Sequence, residues 1–305
     1  MNALNKPIKA PKLSTGETIG LFAPAGPLPS QEVLDKGINL LKEAGFRVVV
    51  EDDILRKEGY LAGSDQRRAQ EFMNLWQDDQ VKALLAVRGG YGTARLLPLL
   101  DLELIRQHPK IIAGFSDLTF LLNGIQASTG LITFHGPMLS TLARDGQPAV
   151  DSLINVLTKT ELNNIHPQGL KILRTGRAEG RLLGGNLTNL IHLLATPYEP
   201  QWQETILFLE DINEPPYRID RMLTHLKMAG RLRGVKGVIL GDFLISGSEP
   251  PLKETEKIHK RTLEIFDDLP VWAAFPVGHG PANLTLPLGA RAVMDSDSAT
   301  LSFKQ

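Results

Sequence analysis

Apolar residues in the first half of the chain fall into two alternating patterns. Short, nearly continuous runs that end in Pro, Gly or a polar residue predict buried strands: GETIGLFAPAG over 16–26, FRVVV over 46–50, VKALLAV over 81–87, KIIAGFS over 110–116 and LITFHGPM over 131–138. Between them, apolar residues recur at helical spacing. Ser30 is placed to cap the first helix, which carries Val33, Leu34, Ile38, Leu40 and Leu41 and stops at Gly45. Asp65 is the expected cap of a second helix through Phe72, Leu75 and Trp76, and residues 93–106 and 117–129 read as two more. Apolar strands alternating with amphipathic helices predict a parallel sheet covered on both faces. Such sheets bind ligands beyond the carboxyl ends of their strands. The loops APAGP, RGGYG, FSD and HGP all fall at that edge.

The pattern loosens around residues 145–180, which are rich in Gly, Asn and basic side chains. It then resumes with strands RLLGG (181–185), TILFLED (205–211), VKGVILGDF (235–243) and PVWAAFPVG (270–278). Helices are expected through Leu187–Leu194, over 217–230 and around 253–267, and a hairpin, RAVMD…ATLSF, closes the chain. We therefore expect a first domain over 1–165, a linker over 166–178 and a second domain over 179–305. The length of 305 residues agrees, at roughly 150 residues per domain.

Charge removes several function classes. With 33 Lys plus Arg against 34 Asp plus Glu, the net charge of −1 gives no field to gather nucleic acid or anionic lipid. There is no cysteine, so disulfides, thiolate catalysis and Cys-ligated metals drop out together. No H-E-x-x-H or H-x-H spacing is present, and neither a metal nor any other cofactor is expected. No run approaches the ~20 apolar residues of a membrane helix, and the first twenty residues lack a signal-peptide core. A cytoplasmic protein is the expectation.

Candidate chemistry lies on the predicted loops. Ser116, in IIAGFSDLT, sits where a buried strand turns into a helix, with that helix's first N–H groups facing the same space. It is placed as a nucleophile, or as a plain helix cap, a role Asp117 could equally fill. RGGYG lacks the third glycine of a dinucleotide loop, which falls at Arg95, and reads better as a turn offering the Gly90 N–H to an oxyanion. Two of the seven histidines suit a general base: His279, between Gly278 and Gly280 after an apolar strand, and His135 as second choice. Glu210 ends the apolar strand TILFLE and needs a partner there, either a histidine or Arg218 or Arg221.

Taken together, LFAPAGP, AVRGGYGTARLL, AGFSDLTFL, FHGPM, LLGGNLTNL, LFLEDINEPPYRIDRMLTHL and GHGPANLTLPLGARA resemble the LD-carboxypeptidases, a family of serine peptidases, in that family's order and over nearly the whole chain. The resemblance implies an α/β fold: an N-terminal flavodoxin-like parallel-sheet domain and a smaller C-terminal α/β domain, as a homodimer. It also implies a triad of Ser116 as nucleophile, His279 as base and Glu210 as its orienting carboxylate, with the backbone N–H groups of Gly90 and Asp117 forming the oxyanion hole. The site would assemble where the two domains meet. The implied reaction removes the terminal D-alanine from a murein tetrapeptide in peptidoglycan recycling, with no nucleic-acid or membrane partner. A cationic or N–H-rich pocket is expected for the substrate carboxylate. Two alternatives stand beside it: a relative giving immunity to a peptide–nucleotide antibiotic, and a two-domain protein that binds a ligand without chemistry. A nicotinamide-dependent enzyme ranks last.

Overall fold

The computed structural model describes residues 7–160, 164–245 and 252–304; the first six of the twenty residues read for a signal-peptide core and three residues of the loosened stretch 145–180 lie outside them. Up to residue 160 the order is β1 (Thr18–Phe22), α1 (Gln31–Glu43), β2 (Arg47–Val50), α2 (Asp65–Gln77), β3 (Val81–Ala86), α3 (Leu102–Gln107), β4 (Ile111–Gly114), α4 (Thr119–Thr129), β5 (Thr133–His135), α5 (Leu139–Asp145) and α6 (Gln147–Leu157). Beyond residue 164 come β6 (Lys171–Arg174), β7 (Arg177–Asn186), α7 (Leu187–His192), β8 (Thr205–Ile212), α8 (Pro216–Met228), β9 (Val235–Leu244), α9 (Leu252–Ile265), β10 (Val271–Ala273), β11 (Leu286–Leu288), β12 (Arg291–Asp295) and β13 (Thr300–Phe303).

The chain divides into two compact units, one of residues 1–160 with 284–287, the other of 161–283 with 288–305. In the first, strands pair in the order β2-β1-β3-β4-β5, with β11 added beyond β5. The pairings from β2 to β5 are all parallel. This is the flavodoxin-like order, and the direction of winding reverses between β1 and β3. The apolar runs explain the order of layers. β1 is buried at all five positions and β4 at all four, whereas the edge strand β2 alternates exposed and half-buried residues. α4 is buried almost all round, as an inner helix must be.

In the second unit β7, β8, β9 and β10 run parallel, and β12, β13 and β6 add antiparallel edges, so the sheet is mixed. Leu207, Leu209, Val238 and Leu240 pack with Leu223 and Leu226 of α8 into its core. Among the described residues no helix is long and apolar enough to cross a membrane.

Local chemistry altered several expected elements. The stretch 93–106 is not one helix: it makes two 3-10 turns, Thr93–Arg95 and Leu97–Leu99, before α3. Pro98 brings no N–H, and the Asp101 side chain accepts the Leu104 N–H at 2.9 Å to start a fresh helix. Ser64, not Asp65, caps α2, accepting the Arg67 N–H. The strand expected over 270–278 ends at Ala273, because Ala274 adopts a φ of 53°. β6 falls inside the segment read as a linker and pairs with β10, while Thr285, Leu286 and Pro287 are part of the first unit.

Gly184 fixes the close approach of β7 to β8. Its φ is 155°, and a Cβ there would fall on the Phe208 carbonyl oxygen. Gly184→Ala is expected to lower stability by about 3 kcal/mol, read as a lowered urea midpoint.

Candidate active site

In the first unit the candidate residues occupy the loops that leave β3 and β4. Phe115 is extended, and Ser116 then takes a φ of 62° before a 3-10 turn, Ser116–Leu118, leads into α4. A left-handed serine costs about 1–2 kcal/mol and persists only where its surroundings hold it. Here the surroundings are small. A Cβ on Gly114 would press to 2.8 Å from Leu118 Cγ, and one on Gly89 would stand 3.0 Å from Ser116 Cβ and 3.1 Å from its Oγ. Gly89 is thus a site residue that sequence reasoning passed over in favour of Gly90.

The loop after β3 is pinned from both sides. Asp117 does not cap its own helix: its buried carboxylate accepts the Thr93 N–H at 2.8 Å, and the Thr93 hydroxyl donates to the Asp117 carbonyl. Burial pushes the Asp117 carboxyl up despite those bonds. On the other side, Arg68, fully buried, donates to the carbonyls of Gly63 and Gly92 at 3.2 and 3.1 Å, and also to Pro24. The Gly26 N–H bonds the Gly89 carbonyl at 3.1 Å. Gly90, at a φ of 124°, lies against Gly26, within 3.3 Å of whose Cα a Cβ would stand. His135, the second choice for a base, is wholly buried in β5 with its ring edge-on to Phe115 at 5.8 Å.

In the second unit Glu210, near the end of β8, meets His279: Oε2 lies 2.7 Å from Nδ1. The carboxylate has no exposed surface, and its Oε1 has no hydrogen-bond partner among the described residues. The ion pair weighed as an alternative is not formed. Arg218 pairs with Glu214 at 3.3 Å, and the Arg221 guanidinium lies 5.6 Å from the centre of the Tyr217 ring. With Glu210 accepting from Nδ1–H, the neutral ring carries its lone pair on Nε2.

Both glycines around His279 make room for acids. A Cβ on Gly278, which has a φ of 125°, would stand 2.9 Å from Glu210 Cβ. The Gly280 N–H donates to Asp242 Oδ2 at 2.8 Å, and the Gly278 N–H to Asn283 Oδ1 at 3.1 Å. Asp211, the next residue, turns instead to the start of α7, accepting from Asn186 and from the N–H and hydroxyl of Thr188, each at 2.9 Å. Burial and the neighbouring Glu210 charge push it up to about 6. Asp242 was missed by sequence reasoning, yet the signal that flagged Glu210, a charge closing an apolar strand, is present in VILGD.

Burial would lower the His279 pKa. The charge and hydrogen bond of Glu210, with the charges of Asp211 and Asp242, outweigh it and hold the imidazole above its ordinary value. Such a pair can draw a proton from a hydroxyl and keep the resulting imidazolium. Among the described residues, no group of three or more His, Asp or Glu is arranged to hold a metal ion.

Comparison with known proteins places these features in context. The model of the LD-carboxypeptidase N-terminal domain matches residues 19–136, and that of the C-terminal domain matches residues 179–294. A probable murein peptide carboxypeptidase of Bacillus subtilis is 39% identical, over 96% of this chain and 93% of that one. The microcin C7 self-immunity protein MccF of Escherichia coli is 31% identical, over 98% and 96%. The crystal structure of an MccF-like protein from Bacillus anthracis superposes with a TM-score of 0.90 at 27% identity, covering 97% of this chain and 99% of that one.

A proton titration of His279 followed by NMR is expected to give a pKa above 6.5. In Glu210→Gln the charge is lost but the burial remains, and the value should fall below that of the unaltered protein.

Proposed function

Because the chain belongs to the LD-carboxypeptidase family of serine peptidases, we propose that it removes the C-terminal D-alanine from a murein tetrapeptide. The observation that carries this reading is the buried Glu210–His279 hydrogen bond of 2.7 Å. Ser116 Oγ attacks the scissile carbonyl carbon and passes its proton to His279 Nε2. The tetrahedral oxyanion takes the N–H groups of Gly90 and Asp117. Its collapse expels D-alanine, whose amine receives the proton from His279. Water, deprotonated by the same imidazole, then hydrolyses the acyl-enzyme and restores Ser116. Glu210 fixes the tautomer throughout and stabilises the imidazolium.

The strained backbone at Ser116 and the small residues beside it support the nucleophile's role. So does the 39% identity to a probable murein peptide carboxypeptidase. On this reading the first unit is the nucleophile domain, the second supplies the acid and base, and the protein works as a cytoplasmic homodimer in peptidoglycan recycling without a cofactor.

A second reading is favoured by the likeness to the MccF proteins: the same residues would cleave a carboxamide bond in a peptide–nucleotide antibiotic. Rates on both substrates, each competing with the other, decide between them.

Ser116→Ala is expected to lower D-alanine release from purified tetrapeptide by at least ~10⁴-fold, and EDTA to leave the unaltered protein's rate unchanged. Undiminished release by the variant, or loss of activity with the chelator, would reject the mechanism. The acid limb of kcat/KM should inflect above pH 6.5, since His279 must be neutral to act and its pKa is raised. A shift of that limb to lower pH in Glu210→Gln, measured on whatever activity remains, is the matching expectation.

Gly89→Ala should lower kcat by about 10-fold or more with little change in melting temperature, as the added methyl presses on the serine rather than on the core. A side-by-side melting curve and steady-state assay check this.

A further inference from the structure

The first unit holds a cleft of about 560 Å³, of whose walls the proposed mechanism uses only the Gly90 N–H. It is walled by Gly26 and Pro27 beyond β1, by Arg88, Gly90 and Tyr91 beyond β3, and by Lys57, Gly59 and Tyr60. We infer that this cleft binds the terminal carboxylate of the peptide substrate, with Arg88 as the principal partner and Lys57 as a second cation. The inference rests on the peptidase reading above, which it deepens by naming what confines the reaction to the last residue.

Four observations carry it. The first is position: the cleft lies beyond the carboxyl ends of β1 and β3, the two strands between which the winding of the sheet reverses, where sheets of this kind hold their ligands.

The second is charge. Arg88 and Lys57 line the cleft and no carboxylate does. Every other arginine of this unit has an acid within ion-pair distance, except Arg47. Arg47 opens β2, at the opposite end of the parallel strands. Among the described residues Arg88 makes a single hydrogen bond, from Nη1 to the Pro27 carbonyl at 2.7 Å. That bond steadies the guanidinium and leaves its remaining N–H groups for a planar anion, the shape of a carboxylate.

The third is distance. A Cβ on Gly26 would stand 3.6 Å from Arg88 Nη1, and one on Gly90 would stand 3.3 Å from Gly26 Cα. The guanidinium and the proposed oxyanion donor are therefore about one residue apart. In a C-terminal residue the carboxylate hangs on the Cα that bears the scissile nitrogen, so only two atoms separate it from the scissile carbonyl. An internal peptide bond presents a neutral amide at that place, which offers the Arg88 cation no charged partner.

The fourth is the rim. Tyr60 and Tyr91 are 66% and 55% exposed, yet their rings meet edge-to-face at 5.5 Å beside the two cations. They form a wall that shields the ion pair from water and strengthens it.

The test uses the full chain and two peptides that differ in one group: the tetrapeptide with its free carboxylate, and the same peptide ending in D-alaninamide. The unaltered protein is expected to prefer the acid by at least about 10-fold in kcat/KM. Arg88→Ala should lose about 10- to 100-fold on the acid and little on the amide, so that the preference collapses. Arg88→Lys should recover part of it. The side chain is exposed, and a melting curve checks that each variant is folded. Equal rates of the unaltered protein on both peptides, or an unchanged preference in Arg88→Ala, overturn the assignment and leave the serine mechanism standing. Failure of the unaltered protein to cleave either peptide removes that mechanism and this inference with it.

Discussion

Glu210 has no surface in contact with solvent, and a carboxylate so placed costs several kcal/mol unless a proton donor is held against it. His279 is that donor, and the local backbone is arranged to keep it there. The strand carrying Glu210 is apolar to its end, so the acid is drawn in with its neighbours. The loop carrying His279 has glycine on both sides, because a side chain at either place would collide with an acid. Asp242 ties down one flank through the Gly280 N–H, and Asn283 the other through the Gly278 N–H. Two further acids nearby raise the imidazole's affinity for a proton without competing for Nδ1. The outcome is an imidazole whose tautomer and orientation are fixed by the fold of a single unit.

The first unit answers a different constraint. Its loops beyond β3 and β4 carry glycines and a left-handed serine, and such a backbone keeps its course only where neighbouring groups hold it. Arg68 does this from within. Buried, it spends its donors on the carbonyls of Gly63, Pro24 and Gly92, tying three loops at one edge of the sheet to α2. Asp117 does the same from the other side through Thr93. A buried guanidinium is an expensive clasp, but it satisfies several carbonyls at once and cannot lose its charge at any physiological pH.

Much of this was legible in the residues. The apolar strands, the loops that end them and the placing of Ser116 and Glu210 at such ends follow from periodicity and from the cost of a charge on a buried strand. What escaped notice did so for local reasons. α6 begins with Gln147 and Pro148 after the cap Gly146, a string that signals a turn as readily as a helix start. The tripeptide β11, bounded by Thr285 and Gly289, is too short to show alternation. The choice of Ser64 over its neighbour as a cap turns on one residue of register. The left-handed backbone of Ser116, and the acids gathered around His279, depend on pairings between strands distant in the chain, which no window of sequence displays.

The strand β11 has a consequence for how the protein can be made and divided. It is chain from beyond residue 283, yet it completes the sheet of the unit that begins at the N-terminus. A fragment ending at residue 160 would contain every helix of that unit and still leave β5 as a bare border, with unsatisfied amides inviting a foreign strand. During synthesis on a ribosome the same vacancy must persist until residues 286–288 have emerged. Neither half of this gene is a self-sufficient message, whatever the sequence pattern suggests about two separable lobes.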